Sequence, residues 1–246
     1  MSRPDAPSDL LAGLIEMALK AGAEAADALL IEAASASLSC RLGKTEDIER
    51  AESTDIGLRV LIGRRQAVVS TSDPSPAATR EMVERAIAMA KVVPEDRFCG
   101  LADPDLLARD IPNLDEFDGA EPSAEWMIET ALKLEDAARA VDGVSNSEGA
   151  GIGFSKSTLH LVASNGFSGR RQGSHFSIGV SVLAGTGTGM ERDGEYVSAV
   201  HLEDLPDPTS IGTEAGRRAV RRLGPQKAES ATLPIIYDPR VAKSLV

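Results

Sequence analysis

Apolar residues at helical spacing alternate along this chain with segments in which every second residue is apolar. Leu10, Leu11, Leu14, Ile15, Ala18 and Leu19 recur three or four positions apart. This spacing predicts a helix capped by Ser8 or Asp9 and stopped at Gly22. Residues 28–32, 35–42, 47–51, 56–62 and 66–70 read as strands, with Gly43-Lys44 and Gly63-Arg64-Arg65 where hairpin turns are needed. Asp73-Pro74-Ser75-Pro76 then opens a helix through Met82, Val83, Ala86, Ile87, Met89 and Ala90 that stops before Pro94. A capping side chain followed by proline satisfies or removes the orphan N–H groups of a first turn.

Residues 94–122 form a polar connector rich in Pro and Asp, and the recipe then repeats. Ser123 caps a helix with Trp126, Met127, Thr130, Ala131, Leu134, Ala138 and Val141 along one side. Strands are expected at 151–155, 157–163, 174–183 and 195–201. A closing helix from Asp207-Pro208 carries Ile211, Ala215, Ala219, Val220 and Leu223. Residues 233–237 read as a strand, and Asp238-Pro239 opens one more helix. That helix has too few residues before position 246 to be stable alone, which predicts a truncated chain.

The similarity of the two halves extends to the letters. IEMALK at 15–20 returns as IETALK at 128–133, and IGLRVLIG at 56–63 returns as IGVSVLAG at 178–185. Asp73-Pro74 has its counterpart in Asp207-Pro208. Three matches in one order, at growing offsets, describe a duplicated unit with loop insertions, with a period far beyond the ~20–50 residues of solenoid repeats. The expected fold class is therefore α+β: largely antiparallel sheets with flanking helices, in two related helix–strands–helix repeats. The repeats span about 8–93 and 123–224.

Composition narrows the function classes. Hydrophobic content is an ordinary 42% but aromatics are only 3%, so the core must be built from Ala, Val, Ile and Leu. No apolar run approaches the ~18 residues of a membrane span, and MSRPDAPSD lacks the apolar region of a signal peptide. The expected location is cytoplasmic, with Cys40 and Cys99 as reduced thiols. The net charge of −12 opposes binding to phosphate backbones, so no nucleic acid is expected as a partner. The one basic cluster, Arg217, Arg218, Arg221, Arg222 and Lys227, sits at a helix end, where positive charge suits the dipole.

Candidate chemistry is sparse. His160, His175 and His201 lie too far apart for an HExxH-type site, and neither cysteine has a CxxC partner, so no metal ligand is assigned. There is no GxSxG elbow, Cys40 reads as a strand-face thiol, and no catalytic residue is assigned. The glycine clusters at 149–153 and 185–189 lack the GK[ST] continuation of a phosphate loop and read as hairpin turns and bulges. The segment GMERDGEYVSAVH (189–201) concentrates hydrogen-bonding side chains. Glu191, Arg192, Asp193 and Tyr196 are the candidates for lining a substrate channel.

Several strings together carry a resemblance: RVLIGRRQAVVSTSDPSP, AMAKVVPEDRFCGLAD, NSEGAGIGFSKS, ASNGF, GMERDGEYVSAVHLEDLPDP and IIYDPRVAKSLV. They resemble the TldD/PmbA family, and within it the PmbA (TldE) branch, over roughly residues 10–246. The resemblance implies an N-terminal domain over about 1–230, with 231–246 the start of a truncated C-terminal domain. It also implies a metallopeptidase complex in which a TldD-like partner subunit carries an HExxxH motif and a metal, zinc. In that case this chain has no cofactor of its own. Its role would be to shape the channel for unfolded peptides and pair with the partner, and it would be inactive alone. An alternative is a non-enzymatic, chaperone-like module that captures peptides by strand addition. The family's older label, modulator of DNA gyrase, sits poorly with the acidic charge.

Overall fold

A computed structural model describes residues 6–242 and 244. Each half of the chain contributes a helix, three strands and a helix. The first half has α1 (Ala6–Lys20), β1 (Ala25–Arg41), β2 (Lys44–Ile62), β3 (Arg65–Thr71) and α2 (Pro76–Val92). The second has α3 (Ala124–Arg139), β4 (Val144–Ala163), β5 (Ser168–Ala184), β6 (Glu191–Ala199) and α4 (Pro208–Arg221); a short α5 (Pro239–Ala242) follows. The strands form one antiparallel sheet in the order β3-β2-β1-β4-β5-β6. The fold is α+β, built from two related helix–strands–helix repeats joined back to back. β1 and β4 pair from Asp27↔Ala163 to Cys40↔Ala150, so the seam between halves is the centre of the sheet.

One face of the sheet carries every long helix. Along β1 the even positions Ala26, Ala28 and Leu30 pack under α1 and α2, while Leu38 and Cys40 pack under α3 and α4. Two apolar cores result, one under each pair of helices, both on the same side. Among the described residues no long helix lies over the opposite face.

The strands are longer and fewer than their hydrophobic patterns indicate. Segments 28–32 and 35–42 are one strand, as are 47–51 with 56–62 and 151–155 with 157–163. The interruptions fall between the two cores, where small side chains such as Ala33, Ala34 and Ser53 replace large apolar ones but the backbone ladder continues. Gly151 and Gly153 accordingly lie inside β4 rather than in a turn, and only Gly149 sits at a register shift, with φ +114°. Residues 233–237 form no strand. Ile235 and Ile236 are exposed, with no neighbouring strand to pair with among the described residues.

Helix starts follow local chemistry with small offsets. Ser75, not Asp73, caps α2 and accepts the Ala78 N–H, while Asp73 accepts the Ser75 N–H. Ser8 and Asp9 lie inside the first turn of α1 rather than at its cap. Ser123 caps α3 by accepting from the Trp126 N–H, as its position predicts. The end of the helix expected after Pro239 lies outside the described residues.

Candidate functional site

The helix-free face holds a trough of about 800 Å³ over β1, β4, β5 and β6. Its floor is an alternation of very small side chains in register: Ser37 opposite Gly153 and Ser177, Ser39 opposite Gly151 and Gly179. With no Cβ or only a hydroxymethyl group at these positions, another chain can approach the sheet backbone closely. Tyr196 walls the trough on β6. A Cβ at Gly179 would come within 3.1 Å of Tyr196 Cδ2, so the glycine leaves the space in which the phenol ring lies. Asp47 stands at the β2 side, and Arg240 of α5 stands at the β6 side. The signal for this floor was in the sequence, in the alternate small residues 35, 37 and 39 and 149, 151 and 153. Reading the cluster 149–153 as turns and bulges fits Gly149 but not Gly151 and Gly153, which form the floor.

β6 divides the four channel candidates between the two faces of the sheet, because successive strand residues point opposite ways. Tyr196 faces the trough, and Arg192 shares its face at the strand end, 3.2 Å from Glu148, which accepts from Ser181 Oγ at 2.9 Å. Glu191 and Asp193 face α4. There they meet the basic cluster: Arg222 lies 3.2 Å from Asp193 and 3.9 Å from Glu191, and Arg218 lies 2.7 Å from Glu195 and 2.9 Å from Glu214. The helix-end arginines therefore bind the inner face of an edge strand instead of facing water alone. Burial raises the Asp193 pKa, but the Gly194 N–H and Arg222 outweigh it and hold the carboxyl below its ordinary range. Arg240 reaches Asp193 at 3.9 Å, so the segment after α4 is tied to the same acid that α4 grips.

On the helix side, Glu135 of α3 is fully buried and holds the β1–β2 turn, its two oxygens accepting the Leu42 and Gly43 N–H groups at 2.8 and 2.9 Å. Cys40 lies beside it. Burial, and then the Glu135 charge, push the thiol up to about 11, which leaves it an unreactive core group. His201 anchors the connector through the Asp115 carbonyl at 3.1 Å. That hydrogen bond raises its pKa against a smaller opposing effect of desolvation.

The histidines do not fit a metal. His160 is buried on the helix side of β4, His175 is exposed on β5, and His201 holds the connector. Among the described residues no three His, Cys, Asp or Glu side chains converge as a ligand group. No step through a metal is assigned to this chain. No described helix is long and apolar enough to cross a membrane.

Two regions match models of one protein family. Residues 26–90 match the PmbA/TldA metallopeptidase domain 1, and residues 117–223 match its central domain. The chain belongs to the PmbA/TldD family. A metalloprotease PmbA homolog of Haemophilus influenzae is 32% identical over 94% of this chain and 51% of its own length. The metalloprotease PmbA of Escherichia coli O157:H7 is 32% identical over 85% and 47%. The chain thus spans about half the length of the curated PmbA relatives it matches. Solved structures agree on the fold. A Bacteroides thetaiotaomicron protein named as a candidate modulator of DNA gyrase superposes with a TM-score of 0.84 at 23% identity, over 92% of this chain and 52% of that one. TldE from Thermococcus kodakarensis gives 0.72 at 19% identity, over 86% and 47%.

Proposed function

We propose that this chain is the N-terminal part of a metal-free PmbA/TldE-type subunit of a cytoplasmic metallopeptidase. It would act beside a TldD-like partner that supplies the metal, zinc, and the chain itself would shape the channel for unfolded or extended peptides. The observation that carries the reading is the trough: a face of the sheet free of helices, floored by serine and glycine and walled by Tyr196. An extended peptide presents N–H and C=O groups along its length, and the serine hydroxyls and the Arg192 guanidinium can bond them while the small side chains leave room for its backbone. Glu191 and Asp193 contribute indirectly, by fixing β6 against α4.

The test is hydrolysis of an unfolded peptide by the full-length subunit with a TldD-like partner. Activity is expected only with the partner, because cleavage needs an ion that polarises the carbonyl and activates water. Replacing Arg192 and Tyr196 by Ala should lower kcat/KM by about tenfold, the scale of one or two lost hydrogen bonds or stacking contacts, without changing the metal content. Chelator-resistant cleavage by the subunit alone would assign the chemistry to this chain and overturn the reading.

A further inference from the structure

The internal repeat makes two sheet edges equivalent, and only one of them is covered. In the second half β5 runs past β6, whose pairing stops at Phe176↔Ala199. The connector lies along that bare edge. The Ser174 N–H donates to the Glu116 carbonyl at 3.1 Å, Ser174 Oγ accepts the Asp118 N–H at 2.7 Å, and Arg171 clasps the Glu116 carboxylate at 2.6 and 2.9 Å. In the first half β2 runs past β3, whose pairing stops at Ile56↔Thr71. Among the described residues no other segment makes a backbone hydrogen bond to the outer edge that remains.

That edge is held ready. From Asp47 to Asp55 it pairs without interruption on β1, and β1 is itself paired on β4. Glu135 fixes the turn where the hairpin ends. Strand edges that resist pairing usually carry charges (lysine above all), proline or bulges. The stretch from Asp47 to Asp55 has no proline or lysine, and the one irregularity lies before it, near Ser39/Cys40. Its charges are Asp47, Glu49, Glu52 and Asp55 against Arg50, and Arg50 is already engaged by Glu52 and Glu121. A second copy of the same acidic edge would be repelled, so the charge selects against self-pairing and for a cationic strand.

We propose that the outer edge of β2, residues 47–55, receives an extended peptide segment of net positive charge as an added strand. Backbone N–H and C=O groups supply the binding and the acidic side chains supply the selection. The inference rests on the sheet alone and stands whether or not the trough serves a peptidase.

The test is a titration of the isotope-labelled chain with a synthetic peptide of alternating lysine and valine, followed by amide shifts and hydrogen exchange. Two controls are the same peptide with glutamate for lysine, and the lysine peptide with alternate backbone nitrogens methylated. The lysine peptide should perturb and protect amides within 47–55, and both controls should fail. Glu49→Lys with Glu52→Lys should weaken binding about tenfold, since both exposed charges change sign. Three results would overturn the proposal: equal binding of the methylated peptide, perturbation confined to the trough around Ser39, Gly151 and Ser177, or no perturbation at millimolar peptide. Peptide hydrolysis is not the readout, so failure here leaves the assignment of the trough untouched.

Discussion

Glu135 sits on α3 with no exposed surface, and a carboxylate there is tolerable only because donors replace its water. Burial raises its pKa, but hydrogen bonds from Ser147 and from the Gly43 and Leu42 N–H groups outweigh that and lower it. Folding therefore favours the charged form. The stabilisation is complete above the ordinary glutamate value of 4.5 and is lost as pH falls through the lower folded value. Glu135→Ala should cost about 3 kcal/mol at neutral pH, because it strands two turn amides and opens a void. Glu135→Gln should flatten the acid limb of a plot of urea midpoint against pH, since it has no proton to take up. The role was not legible in the sequence, where the amides it holds lie 92 and 93 positions away. Ser123 was legible, because its cap closes within three residues and depends on nothing distant.

The long helices form where their local patterns place them, whereas the extent of the strands depends on their neighbours. The Ser-Pro start of α2 carries its own capping chemistry in Ser75, whereas at α4 Asp207 makes no side-chain cap bond and holds Lys133 instead. The continuity of β1 across Ala33 and Ala34 depends on β2 and β4 alongside it, which no single segment reveals. β6 was expected to begin at residue 195 rather than Glu191, and the missing four residues hid the alternation that sends Arg192 and Glu191 to opposite faces. Helix packing gives a pair of predictions of opposite sign. In α4 a Cβ on Gly212 would lie 2.2 Å from the Leu134 carbonyl oxygen, and one on Gly216 would lie 2.7 Å from that of Ala138. Gly212→Ala must therefore push α4 away from α3 and should destabilise by about 2–3 kcal/mol in a denaturant titration. Gly13 lies within α1 with nothing within 4 Å of a would-be Cβ. Gly13→Ala should stabilise by roughly 0.5–1 kcal/mol, from helix propensity alone.

For the whole molecule, the net charge of −12 and the capture of the α4 arginines by β6 point the same way. Binding to duplex DNA should be negligible at ~0.15 M salt, and sub-micromolar affinity in a filter-binding or anisotropy assay would revive a nucleic-acid role. The joining of the halves through β1 and β4 has a different consequence, for synthesis. β1 is complete at Arg41, but its central neighbour starts at Val144, and the far end of the seam joins Ala26 to Ser164, 138 positions apart. Long-range pairing of this kind closes slowly. At the pace of a ribosome, the first half waits on the order of ten seconds for the strand that completes it. During that interval β1 shows an open edge to the cell, so the nascent chain offers aggregation and chaperone capture a target that the finished sheet closes.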